Sequence, residues 1–110
     1  MRLAATIPLL ALCLSVHGAP TQAQDANLTR NLAAACFSCH GTDGNARPGM
    51  APLAGRPKAD IVRIMGEFRS GARSGEQGTL MPQLVKGYTD AQVALIADYF
   101  ARQTPTKEAR

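Results

Sequence analysis

Five consecutive residues, Cys36-Phe37-Ser38-Cys39-His40, concentrate the chain's chemistry. Two cysteines three positions apart near a helix end lie on one face. Thiols so placed can reach the two vinyl groups along one porphyrin edge and form a thioether with each. His40 follows directly, so its imidazole is carried under the ring with a nitrogen facing the iron. The C-x-x-C-H spacing is the pattern of covalent haem attachment. The cofactor expected is one haem c, held through Cys36 and Cys39, with His40 as an iron ligand.

Other readings of the same residues are weaker. Zinc takes four ligands, and two cysteines with one adjacent histidine have no second cluster to complete the set. A thioredoxin-like redox pair needs a strand feeding into the motif, and no segment alternates convincingly. A disulfide across so short a gap constrains very little chain.

The third cysteine belongs to a different segment. Residues 1–23 read as a secretory signal peptide: Arg2 supplies the positive start, residues 3–16 are largely apolar, small residues follow, and Thr21-Gln22-Ala23 is an acceptable cleavage signal. The apolar run is too short to span about 30 Å of hydrocarbon with its ends solvated. Leu12 before Cys13 argues against a lipidation box. Cleavage leaves 87 of the 110 residues, residues 24–110, as one domain, and removes Cys13 and His17. No stable membrane insertion is expected afterwards, and the expected location is the periplasm.

The remaining chain is small and poor in aromatics: three Phe, two Tyr and no Trp. A domain of this size buries only about 60–65% of its unfolded surface and usually needs a staple. A haem fills the space the missing aromatics leave.

The elements that must position the motif are helical. Residues 27–36 carry Leu28, Leu32 and a run of alanines, with Asn27 as the expected cap. Residues 41–55 are loop, rich in glycine and proline. Residues 58–70 form a helix with Ile61, Ile64, Met65 and Phe68 as its stripe and Gly71 closing it. A second loop runs from 71 to about 87. Thr89-x-x-Gln92 is a capping box for a last helix whose buried stripe is Val93, Ile96, Ala97 and Phe100. The fold class expected is all-α, three to four helices around one covalently attached haem.

With His17 removed, a second histidine ligand from this chain is excluded, leaving Met50, Met65 and Met81 as candidates. Met65 lies on a packed stripe, where methionine more often fills the core. Met50 comes only ten residues after His40, in the loop that must turn beside it. Met81 lies in a loop 41 residues on, stiffened by Pro82, and is the expected second iron ligand.

This order of features, a helix, the Cys36–His40 motif, a Gly/Pro loop, Met81-Pro82 and the 93–100 helix, resembles a class I c-type cytochrome over residues 27–103. The resemblance implies that the first and last helices cross, with the haem between the histidine and methionine loops. It also implies that the carbonyl of Pro52 accepts the His40 ring N–H, and that Leu53 packs on the haem. Phe68-Arg69-Ser70-Gly71-Ala72-Arg73, Thr79-Leu80-Met81, Lys86-Gly87-Tyr88-Thr89-Asp90 and Ala97-Asp98-Tyr99-Phe100 are similar to the monohaem cytochrome subunit of flavocytochrome c sulfide dehydrogenase. That likeness implies a flavoprotein partner. The insertion Ser74-Gly75-Glu76-Gln77-Gly78, and Pro82 itself, depart from the subgroup.

The function expected is one-electron transfer rather than catalysis. A His/Met pair leaves no open position for substrate, and its soft thioether favours reduced iron. No Ser/His/Asp set, paired carboxylates or phosphate loop is present. A free shuttle between periplasmic redox proteins is the alternative, and a haem-based ligand sensor a further one that needs an open sixth site. The net charge of +4 falls to +3 once Arg2 is removed. The basic residues Arg47, Lys58, Arg63, Arg69, Arg73 and Lys86 read as a solvated surface, and no nucleic-acid partner is expected.

Overall fold

In the computed structural model the described residues are 22–73 and 80–107. Residues 1–21 of the expected signal peptide, and the 74–78 insertion with Thr79, lie outside them. Five helices are present: α1 (Gln22–Ala34), α2 (Phe37–His40), α3 (Lys58–Ser70), α4 (Met81–Val85) and α5 (Asp90–Ala101), with a short 3₁₀ turn at Thr42–Gly44. The described residues contain no strand, and none of their helices is long and apolar enough to cross a membrane.

The sequence signals for α3 and α5 act as expected. Ile61 and Met65 are buried, and Gly71 takes the left-handed conformation (φ 80°) that ends α3, its N–H donating to the Phe68 carbonyl. Both bonds of the α5 capping box are made. Gln92 N–H donates to Thr89 Oγ1 at 3.2 Å, and the Gln92 side chain accepts from Thr89 N–H at 2.9 Å. Val93, Ile96, Ala97 and Phe100 are buried, and Tyr99 joins them.

Two elements differ from the sequence expectation. α1 begins at Gln22, so Asn27 lies inside the helix instead of capping it, and the helix ends at Ala34, before the cysteines. Its buried row is Thr29 and Ala33, not Leu28 and Leu32; Leu28 is 52% exposed. Ala33 and Ala97 are both fully buried in one core, so the short side chains let α1 and α5 pack closely. The loop expected after Gly71 contains α4, which starts at Met81 and carries Pro82 in its first turn, where a missing N–H costs nothing.

The core comprises Ala33, Ile61, Met65, Val85, Val93, Ile96, Ala97, Tyr99 and Phe100. α5 sits at its centre, with α1 and α3 both packed on it and α4 on α3. Several basic residues expected as a solvated face are paired instead. Lys58 meets Asp98, Arg63 and Arg73 both meet Glu67, and Arg69 bridges to Asp90 and to the Tyr88 carbonyl. The last two contacts tie the end of α3 to the start of α5.

Candidate functional site

The cysteine–histidine motif is folded as α2, one turn of helix, with Cys36 at its N-terminal boundary. One turn places Cys36 and Cys39 on a common side. Both thiols are free. Cys36 is half-buried against the core and Cys39 is exposed, with Ser38 Oγ 3.9 Å from its sulfur. Burial, and after it the neighbouring Cys39, pushes the Cys36 thiol above its ordinary range, so it rests protonated.

His40 Nδ1 lies 2.8 Å from the carbonyl oxygen of Ala51. A carbonyl can only accept, so Nδ1 carries the proton and Nε2 keeps its lone pair for a metal. This corrects the expectation that Pro52 supplies the acceptor. The carbonyl oxygen of Gly44 accepts from Leu53 N–H at 2.9 Å and from Ala54 N–H at 3.2 Å. That clamp sets the register of the returning strand of loop, and the register turns the carbonyl of Ala51, not Pro52, toward the ring. Gly44 is needed for the clamp: its φ is 78°, and a Cβ there would stand 2.7 Å from Phe100 Cδ1 and 2.8 Å from Ala54 N.

α2 is seated on α5 through aromatic contacts. The Phe37 ring lies 6.0 Å from that of Tyr99 and 6.2 Å from that of Phe100, the second edge-on, within the range of favourable ring pairs. Arg30 of α1 stands over the outer face of Phe37 at 6.0 Å. Tyr99 O–H donates to Asp43 Oδ1 in the 3₁₀ turn. Beyond the loop, Asn45 Oδ1 accepts from Thr106 N–H at 2.7 Å, holding the chain's C-terminal segment against the loop.

The three methionines separate by environment. Met65 is 7% exposed in the core, Met50 is 42% exposed in the loop, and Met81 is half-buried at the start of α4. Cys36, Leu53, Phe68, Met81 and Tyr88 all pack against the same core while keeping part of their apolar surface uncovered. Pro52 is likewise half-buried. A cleft of about 630 Å³ runs past Cys39, Gly41, Thr42, Asn45, Arg47 and Thr106, and neither His40 nor Met81 lines it.

The donor set fits a haem. Two unpaired thiols are three residues apart and an imidazole is already oriented by its second nitrogen, while Met81 packs against the core from the start of α4. Sequence reasoning missed Ala51, because any residue type can offer a carbonyl. It also missed Asp43 and Tyr99 as partners. The Gly-Thr-Asp-Gly stretch at 41–44 was a usable signal, since Asp tolerates the left-handed turn conformation it adopts at φ 56°.

The family model for cytochrome c matches residues 28–103. The chain is 33% identical over 104 residues to cytochrome c4 of Azotobacter vinelandii, covering 88% of this chain and 50% of that protein. It is 36% identical over 69 residues to the cytochrome subunit of sulfide dehydrogenase of Chlorobaculum tepidum, covering 63% and 60%. It is 33% identical over 85 residues to cytochrome c-554(548) of Halomonas halodenitrificans, covering 74% and 99%. The chain thus spans half to three fifths of the length of the first two relatives and nearly all of the third. The match of family model and motif places this chain in the cytochrome c family, as a class I c-type cytochrome.

Proposed function

We propose that this chain is an exported, periplasmic monohaem cytochrome that passes single electrons, with Cys36 and Cys39 as the thioether residues and His40 and Met81 as the iron ligands. The observation that carries the reading is the His40–Ala51 bond beside two free thiols. It holds the ring in one tautomer, with Nε2 available. When bound, the haem supplies a one-electron redox centre at iron. The chain's own residues do the rest. Cys36 and Cys39 anchor, His40 donates from Nε2, and Met81 offers sulfur from the N-terminal edge of α4. Leu53 and Pro52 supply apolar cover that excludes water. Ligands common to both oxidation states keep reorganisation small.

The electron donor we propose is the flavoprotein of a sulfide dehydrogenase, on the likeness to the Chlorobaculum tepidum subunit. A free shuttle is the second reading, favoured by the near full-length match to the Halomonas halodenitrificans cytochrome. The two are separated by mixing the oxidised cytochrome with a candidate sulfide-oxidising flavoprotein and sulfide, at low and high ionic strength. Haem reduction through the flavin supports the subunit reading. No transfer at either ionic strength removes it and leaves the shuttle.

A further inference from the structure

Two residues flank His40 symmetrically in sequence, Phe37 three positions before it and Asp43 three after, and both are held by Tyr99. The Phe37 ring packs on the Tyr99 ring, and the Asp43 carboxylate accepts a hydrogen bond from the Tyr99 hydroxyl across 56 positions of sequence. Tyr99 is itself 9% exposed and lies in the last turn of α5. Asp43 is the one non-glycine residue with a positive φ among the described residues, so a side-chain partner stabilises a conformation that most residues avoid.

A continuous series of bonds runs from that contact to the histidine. Asp43 precedes Gly44 in the 3₁₀ turn. The Gly44 carbonyl accepts from Leu53 and Ala54 N–H, and the Ala51 carbonyl, two residues before that clamp, accepts from His40 Nδ1–H. We propose that Tyr99 is a positioning residue for His40, acting through the Asp43 carboxylate and the 41–55 loop. The inference rests on the reading that His40 ligates the haem iron. Its consequence is electronic as well as steric. A firm Nδ1–H···O bond raises the basicity of the ligating nitrogen and favours oxidised iron, so a looser bond raises the potential.

The test compares oxidised holoprotein variants by NMR and by potentiometry. Tyr99→Phe keeps the ring stacked on Phe37 and removes only the hydroxyl. Asp43→Asn keeps an accepting oxygen, Asp43→Ala removes it, and Ile96→Val is a core control that leaves the Tyr99 hydroxyl and the Asp43 carboxylate in place. The expected result is that solvent exchange of the His40 Nδ1 proton becomes faster by about tenfold in Tyr99→Phe and in Asp43→Ala, through easier local opening. The midpoint potential rises in the same two variants. Asp43→Asn and Ile96→Val stay close to the parent protein in both measurements. Unchanged exchange and potential in Tyr99→Phe, with a paramagnetically shifted His40 ring still present, overturns the inference and leaves the ligation standing. A His40 ring without a paramagnetic shift in the parent holoprotein overturns the ligation itself, and this inference with it.

Discussion

His40 and Ala51 are joined by a 2.8 Å bond from ring Nδ1 to a backbone carbonyl, eleven residues apart. The bond exists because Gly44 gathers the returning chain through two N–H donors, and Gly44 can do so only without a side chain. The orientation of the His40 ring thus depends on a glycine four residues away from it. The same loop is anchored to α5 at Asp43 and to the C-terminal segment at Asn45.

Gly44→Ala tests that dependence. The new Cβ meets Phe100 and the Ala54 backbone under 3 Å, in a left-handed conformation. Gly71→Ala has the same backbone problem, φ 80°, with nothing within 4 Å. Denaturant unfolding should show Gly71→Ala losing about 1 kcal/mol and Gly44→Ala about 2–4 kcal/mol, because steric overlap adds to the backbone cost. Equal losses would mean that the loop yields freely at Gly44.

Met81 and Met65 should respond oppositely to truncation. On the ligation proposed above, Met81→Ala should lower the potential and let carbon monoxide or imidazole bind. Met65 is 7% exposed in the core, so Met65→Ala should cost about 2–5 kcal/mol of stability with the axial ligands intact. Absorption spectra of both variants with and without carbon monoxide decide it. Carbon monoxide binding to Met65→Ala, with Met81→Ala unchanged, would reverse the assignment.

The Tyr99 phenol links stability to alkaline pH. Burial, and after it the Asp43 carboxylate, hold it above its ordinary value of 10.0, against a smaller opposing effect of Arg30. Below 10.0 both native and unfolded chains keep the proton, and its contribution to stability is complete. As pH rises further the unfolded chain releases the proton first, so stability falls until the native phenol also ionises. Urea midpoints at neutral and alkaline pH should therefore drop more for the parent protein than for Tyr99→Phe. A drop of the same size in both would detach the alkaline loss from Tyr99.

The apoprotein should hold little fixed tertiary structure. Leu53, Phe68, Met81 and Tyr88 pack on the core with part of their surface open, in a chain with three Phe and no Trp. Leaving that surface wet removes a large share of the burial a small domain needs. Near-ultraviolet circular dichroism of a Cys36→Ser/Cys39→Ser chain, heated, checks this. A cooperative transition like that of the holoprotein would contradict it.

The helices around the site were legible in the sequence where a local signal has one structural meaning. The Thr89–Gln92 box, Gly71 and the stripe of α3 are of this kind. α1 was misjudged because Leu28 and Leu32 outweigh Thr29 and Ala33 in hydrophobicity, yet close packing against α5 favours the smaller row. α4 was missed because Pro82 reads as a breaker unless it falls in a first turn. The motif itself was readable from residue types alone. Its supports were not, since the Ala51 carbonyl, the Gly44 clamp and the Tyr99–Asp43 contact depend on chain register and long-range packing.

Attachment of one haem through Cys36 and Cys39 is decided by the intact mass of the natively produced protein under denaturing conditions. The mass should equal the polypeptide plus one haem, retained through acid-acetone, and Cys36→Ser/Cys39→Ser should lose it. A haem-free polypeptide with a Cys36–Cys39 disulfide, two hydrogens lighter than the reduced chain, would show that the two thiols pair with each other and hold no haem.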